Sequence, residues 1–258
     1  MRVCVFVDGE NLRHTLHYLF DERAYRRQEY LPKAAKWAEF FDRLVALATE
    51  GEGRRTRTYW YVVEDVDPYP QIPSLSDRDD QHLQEWLRAN RRLLEQCDRL
   101  PFTLQNPDLN DVRGTLGQLD AWREEIKQRF DGFAIVQRGI AQAHRAIEFR
   151  RSGAIGYNLL TKQLGQEKTV DVNLGVDMVT LSDSYDLALV VSGDQDYVPA
   201  VQAVKNRGKH VVNVAFKTRG GRLLPGGARR LNQMTDWNLP VEYEDVAAMM
   251  LSEGALPG

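Results

Sequence analysis

Cysteine is nearly absent from this 258-residue sequence: Cys4 and Cys97 are its two, and neither belongs to a CxxC pair. That excludes a cysteine-based zinc site, a thioredoxin-type redox motif and a disulfide framework. Cys4 stands inside an apolar run and reads as a small core residue. Long apolar runs are missing too. The first, Val3 to Val7, stops at Asp8-Gly9-Glu10 and is too short for a secretory signal. No other stretch approaches the roughly 18 to 20 residues of a membrane span. A soluble protein of a reducing compartment, the cytoplasm, is therefore expected, with no membrane partner. There is no G-x-G-x-x-G after a strand, no G-x-x-x-x-G-K-[ST] and no G-x-S-x-G, which argues against dinucleotide, P-loop and nucleophile-elbow chemistry. The five histidines are scattered, and His14 and His17 share a helix face without a third partner.

What remains is an ordinary globular composition, with 43% apolar and 28% charged residues, and a net charge of -3. A chain this long can bury a core without metal or disulfide support. Arg2 to Val7 reads as a strand buried on both faces. Helices are expected over Asn11 to Phe20 and Lys33 to Thr49, a strand over Thr56 to Val63, and a proline-bearing loop over Glu64 to Asp77. The middle of the chain reads as a helix from Arg78 to Leu100, an irregular stretch from Pro101 to Gly117, a helix from Leu119 to Phe130 and a strand from Gly132 to Gln137. A hairpin is expected from Ala146 to Arg150 and Ala154 to Leu160. The pattern then sharpens into helix Val170 to Ser182, strand Asp186 to Ser192, helix Tyr197 to Arg207 and strand His210 to Phe216. Strands alternating with helices of this length predict βαβ units and a parallel sheet, an α/β fold.

The carboxylates fall in informative places. Asp8 follows the first strand directly. Asp194 follows the strand Leu187-Ala188-Leu189-Val190-Val191-Ser192, and Asp196 stands two residues on. In an open parallel sheet, ligands bind just beyond the carboxyl ends of the strands. Two strands far apart in sequence therefore aim acids at one edge. On the Val170 to Ser182 helix, Asp171 and Asp177 lie about 60° on either side of Leu174 and so flank the apolar stripe. Asp171 gains from the helix dipole in the first turn. Asp177, in mid-helix, gains nothing from it, and a half-buried carboxylate there calls for a metal or a cationic partner. Turn and cap preferences alone explain any single one of these acids. Their joint placement points instead to a hard-oxygen site for Mg²⁺ or Mn²⁺, suited to phosphoryl chemistry.

Three ordered motifs carry a family resemblance. Val7-Asp8-Gly9-Glu10-Asn11 resembles the D-G-x-N opening of NYN domains. Lys168-Thr169-Val170-Asp171-Val172-Asn173-Leu174-Gly175-Val176-Asp177 is similar to the K-x-V-D-V-x-L-x-x-D helix of the LabA-like branch. Val191-Ser192-Gly193-Asp194-Gln195-Asp196-Tyr197 resembles its S-G-D-x-D-F/Y turn. The match is dense over residues 168 to 216 and 3 to 12. The resemblance implies a PIN-like parallel sheet flanked by helices, and metal-dependent cleavage of RNA, with DNA as the other substrate class. By position, Asp8 and Asp194 would be metal ligands, with Asp171, Asp177 and Asp196 completing the acidic site. Asn11 would orient Asp8 or a water at the metal, and Ser192 would support the turn. The organisation expected is one domain over residues 1 to 240 with an insertion at about 64 to 165, then a C-terminal helix and tail over 241 to 258.

From Tyr197 through Thr235 the sequence has no Asp or Glu, while Lys205, Arg207, Lys209, Lys217, Arg219, Arg222, Arg229 and Arg230 are all present. Cations beside an acidic metal site are what a phosphate backbone requires. Gly220, Gly221, Gly226 and Gly227 make this stretch partly loop, and Arg145, Arg150 and Arg151 are candidates to extend it. A solvated face with a flexible arm is the plainer reading. Tyr59, Trp60 and Tyr61 read as strand packing rather than base stacking. Two rival functions stand beside the nuclease: a catalytically silent RNA-binding or regulatory module, and a Mg²⁺-dependent phosphatase on small substrates. The phosphatase reading lacks a D-x-D-x-T opening. A homo-oligomer is compatible with the sequence.

Overall fold

The structure, a computed structural model, describes residues 1–20, 30–32, 35–97, 100–224 and 228–251. Lys33, Gly226, Gly227 and the tail from 252 onward lie outside the described residues. Contacts divide the chain into two compact units. The first comprises Met1–Val62, Phe133–Ser152 and Lys168–Gly258; the second comprises Val63–Gly132 and Gly153–Glu167.

The first unit is a mixed α/β layer structure around a largely parallel sheet. Strand β1 (Arg2–Asp8) is buried from Val3 to Asp8, and β5 (Leu187–Val191) is buried at all five positions, which is why both are continuous apolar runs. Strand β1 lies between β2 (Arg54–Tyr69) and β5, parallel to each, with Val7 opposite Val191. Outward from β5 follow β6 (His210–Lys217) and β8 (Trp237–Val241), also parallel. The short β7 (Leu223–Leu224) closes an antiparallel hairpin with β6. Helices α1 (Gly9–Leu19), α2 (Trp37–Ala48) and α9 (Tyr243–Met250) contribute to the principal core on one face, with Leu12, Leu16, Phe40, Phe41, Leu44 and Val246 meeting Val5, Leu189 and Val214. Helix α6 (Thr169–Thr180) packs on β1, and α7 (Val198–Asn206) on β6. Trp60 is fully buried, set edge-on against Trp37 at 4.8 Å and stacked on Phe149 at 4.8 Å. Tyr59, Trp60 and Tyr61 are thus strand packing, as the sequence predicts.

The second unit has its own core, built from Leu83, Trp86, Leu94, Phe102, Val112, Leu116, Leu119 and Leu159. Helices α3 (Asp80–Ala89) and α4 (Arg91–Leu94) supply part of it. Arg78 and Arg123 both pair with Asp120.

Four middle-chain expectations differ from the structure. The first part of the loop expected over Glu64 to Asp77 is instead a continuation of β2 to Tyr69, with Pro68 accommodated late in the strand. The expected helix Arg78 to Leu100 breaks at Asn90 into α3 and α4. The irregular stretch, helix and strand expected over Pro101 to Gln137 are largely one helix, α5 (Leu109–Ala143), of 35 residues. Phe133, Val136 and Ile140 repeat at helical spacing and pack on the core, while Ile135 is exposed; a strand would alternate instead. The expected hairpin is a single strand, β3 (Ile147–Asn158), passing through Gly153 at φ +70°. Its short antiparallel partner is β4 (Gln163–Leu164).

Gly132 tests the helix directly. A Cβ there would meet nothing within 4 Å. Gly132→Ala should therefore stabilise the protein by about 0.5–1 kcal/mol by restricting the unfolded chain and favouring helix. A lowered unfolding midpoint for that variant would contradict a helix at this position.

Candidate metal centre

Parallel pairing of β1 with β5 puts their carboxyl ends side by side, so Asp8 and the Ser192-Gly193-Asp194 turn meet at one edge of the sheet. Asp8 is 4% exposed. A carboxylate that deep requires donors, and four surround it. The Asn11 backbone N–H donates to Oδ1 at 3.0 Å. Asn11 Nδ2, the Ser192 hydroxyl and the Tyr197 phenol approach Oδ2 at 2.7, 2.9 and 3.2 Å. Burial nevertheless pushes the Asp8 carboxyl above its ordinary range, opposed by these hydrogen bonds. Asn11 Oδ1 also accepts from the Gly193 backbone N–H at 3.2 Å, joining the start of α1 to the turn after β5.

The next residue, Gly9, is forced by crowding. A Cβ there would stand 2.5 Å from the Tyr61 carbonyl oxygen and 2.7 Å from Val62 Cγ1, so the chain can leave β1 for α1 here only as glycine.

Beyond Asp8 the acids open toward solvent. Ser192 Oγ accepts from the Asp194 N–H at 3.0 Å, and the Asp194 carboxylate caps the following 3₁₀ turn by accepting from the Asp196 N–H at 2.9 Å. Asp171, in the first turn of α6, accepts from the Tyr197 phenol at 2.7 Å. The phenol therefore stands between Asp8 and Asp171, and burial with these carboxylates pushes its own ionisation well up. Asp171, Asp194 and Asp196 each offer an oxygen within 4.8 Å of the others. Lys168 Nζ lies 3.9 Å from Asp196.

The donor set tests what such a group can hold. Ligands at about 2.1 Å on opposite sides of one octahedral ion are about 4.2 Å apart, and Ca²⁺ distances are longer. Three carboxylates within 4.8 Å, with no sulfur or imidazole in the group, fit a hard divalent cation after small side-chain rotations.

The sequence-predicted residues divide accordingly. Asp171, Asp194 and Asp196 form the group, and Asp8 with Asn11 forms its buried support. Asp177 stands apart from the three: its carboxylate accepts from the Tyr61 hydroxyl at 2.8 Å and pairs with Arg150. Arg150 also reaches Glu148 at 3.1 Å and covers the Tyr59 ring at 4.3 Å, so it belongs to this internal network. Of the eight cations, Lys205 pairs with Asp236, Lys209 with Asp186 and Lys217 with Glu242, while Arg207 donates to the Val179 carbonyl and Ser182. The acid-free stretch in sequence thus finds its acids elsewhere in space. Arg219, Arg222, Arg229 and Arg230 are exposed. Arg222 donates to the Tyr18 hydroxyl at 3.1 Å, and Arg219 lies over the Tyr243 ring at 4.6 Å. Arg229 and Arg230 lie on α8 (Arg229–Met234), which packs against the 3₁₀ turn carrying Asp196. Sequence reasoning assigned no role to Tyr197; the signal available was a tyrosine directly after the acidic turn, since a buried phenol needs a polar partner.

Fold and site together define a class: an α/β domain with a carboxylate group at the carboxyl edge of its parallel strands. Residues 97–223 match the family model described as NYN domain. That class implies a PIN-like nuclease. The matched span includes Asp171, Asp177, Asp194 and Asp196 and leaves Asp8 outside it. The chain is similar to the crystal structure of a protein of unknown function from Vibrio parahaemolyticus RIMD 2210633, with 13% identity, a TM-score of 0.38, and 93% of this chain and 92% of that chain covered. No curated protein matches.

The raised Asp8 carboxyl predicts a pH dependence. Between the ordinary Asp value of about 3.9 and the raised one, the folded state binds more protons than the unfolded state, so stability falls as pH rises through that window. Asp186 works in a lower window: Arg2 holds it down to about 2, and its contribution is lost as pH falls toward that value. Metal-free protein should lose melting temperature from about pH 4 upward, and Asp8→Asn should flatten that limb. An unchanged limb in the variant would assign the effect to another group.

Proposed function

We propose that this chain is a metal-dependent nuclease that hydrolyses phosphodiester bonds of RNA, with Mg²⁺ or Mn²⁺ held by Asp171, Asp194 and Asp196. The observation that carries the reading is the meeting of these three carboxylates from two separate elements, beside the buried Asp8. A bound divalent ion would supply an activated water and neutralise charge on the leaving oxygen. The protein's own part is positioning. Ser192 and Asn11 fix the Asp194 turn against Asp8, and Tyr197 holds Asp171 in line with it. Asp8 adds negative charge behind the group and raises its affinity for a cation. Asp177 serves the same site from within α6, through Arg150 and Tyr61. Arg219, Arg222, Arg229 and Arg230 are the side chains best placed to grip a phosphate backbone; the other four cations are engaged within the protein. The motif-level likeness of Lys168 to Asp177 supports the LabA-like branch. We further read the chain as one domain interrupted at about residues 64 to 165, with the separate core of the second unit in support.

Two experiments test the reading. The first follows cleavage of labelled RNA and DNA with Mg²⁺, Mn²⁺ or chelator, for the parent and for Asp194→Asn. The variant keeps shape and loses a ligand charge, so cleavage should fall by orders of magnitude while RNA binding and melting temperature persist. Equal cleavage by Asp194→Asn would locate the activity elsewhere. The second concerns the cations. Each phosphate contact contributes a slope of about -0.7 to the salt dependence on single strands. Replacing Arg219, Arg222, Arg229 and Arg230 with Ala should weaken binding and flatten the slope by about two to three units between roughly 50 and 200 mM salt. An unchanged slope would remove these arginines from the interface.

A further inference from the structure

Helix α6 has a third face that neither the sheet nor the acidic group uses. Val172 and Val176 point outward, 60% and 51% exposed, although the same helix buries Val170, Leu174 and Met178. Beside them, Gly175 lies against Ala200 of α7, where a Cβ would be 3.5 Å from the alanine Cβ. The small pair leaves a groove of about 500 Å³ between the two helices. Pro199 and Ala203 complete its far wall, and Asp171 and Asp196 form one end of it. The groove is thus continuous with the carboxylate group. At the same end stands Lys168, with 73% of its side chain exposed. Apart from Thr180 at the opposite end, no uncharged lining side chain carries a hydrogen-bonding group.

We propose that this groove is a subsite for one unpaired nucleoside next to the phosphate at the carboxylates; the proposal rests on the nuclease reading above. The volume lies within the range of small-molecule sites, about 300 to 1,000 Å³. An unstacked base buries its faces well between apolar side chains, and the exposed valines supply such a surface where a polar helix face would otherwise be expected. The wall is apolar between its two ends and offers no donor or acceptor there to read a base edge, so the subsite accepts any base. A base held in a duplex cannot enter, so the strand is single-stranded at this point. Lys168 supplies positive charge for the adjoining phosphate, and Asp171 and Asp196 fix which end of the groove faces the reacting bond.

The test measures affinity of single-stranded RNA, with Ca²⁺ present, for parent protein and for the double variant Val172→Asn, Val176→Gln. Each RNA is used intact and with a single abasic ribose placed at each position in turn. In the parent, one abasic position should weaken binding roughly tenfold, the scale of one stacked base. In the double variant intact RNA should bind roughly tenfold more weakly, and the abasic penalty should vanish, while Mn²⁺ binding and the melting temperature stay at parent values. Both positions are exposed, so the variant is expected to fold. A parent that binds RNA but shows no abasic penalty at any position overturns the subsite and leaves the nuclease reading standing. RNA that binds with this penalty yet is never cut overturns the nuclease reading instead. Absence of RNA binding overturns the subsite. So does a parent dimer that the double variant converts to monomer with no abasic effect, since the groove would then be an interface between copies of this chain.

Discussion

The buried carboxylate of Asp8 is the constraint around which the rest of the site is arranged. A charge almost withdrawn from water is tolerable only if donors replace the solvent. Those donors come from the start of α1, the end of β5 and the turn before α7. Satisfying one acid therefore joins three elements, and it fixes the turn from which Asp194 and Asp196 project. The crowding at Gly9 belongs to the same requirement, because β1 must turn into α1 at once for Asn11 to reach back to Asp8.

Helix α6 shows how one short segment meets several demands. Its inner face is apolar and packs on β1. Its first turn offers Asp171 to the acidic group, where the helix dipole favours a negative charge. Six residues on, Asp177 is neutralised by Arg150 and receives the Tyr61 hydroxyl. Removing one partner of a part-buried pair leaves the other uncompensated, so Asp177 and Arg150 depend on each other. Two acids alike in sequence position thus differ in their surroundings, one facing the group and one facing a guanidinium.

The parts legible in the sequence were those governed by local pattern. Strand β5 is buried throughout and β1 from Val3 onward, so each carries an unbroken apolar run, and the acids that end or trail these runs reveal the sheet edge. The region around Asp177 was legible only as a demand for a partner; the partner, Arg150, lies on a strand that composition alone made look like half of a hairpin. Helix α5 escaped because it is long, carries polar residues through much of its length, and contains Gly132 beside a short apolar run. The extent of β2 escaped because prolines ordinarily mark loops, and this strand carries one near its end. The cations illustrate a further limit: absence of acids over a stretch of sequence says nothing of acids brought in by folding, as Asp186, Asp236 and Glu242 are.

The hydrogen bonds around Asp8 span 184 residues to Ser192 and 189 to Tyr197. The two halves of the collar are therefore far apart in sequence, one at Asn11 and the other at Ser192 and Tyr197. In a growing chain Asp8 has only the donors of Asn11 until Ser192 and Tyr197 have been made. The carboxylate group gains its buried support only on completion of the central sheet, and separating the first strand from the rest would dismantle that support even with Asp171, Asp194 and Asp196 intact. Assembly of the centre therefore requires β1 and β5 to be paired.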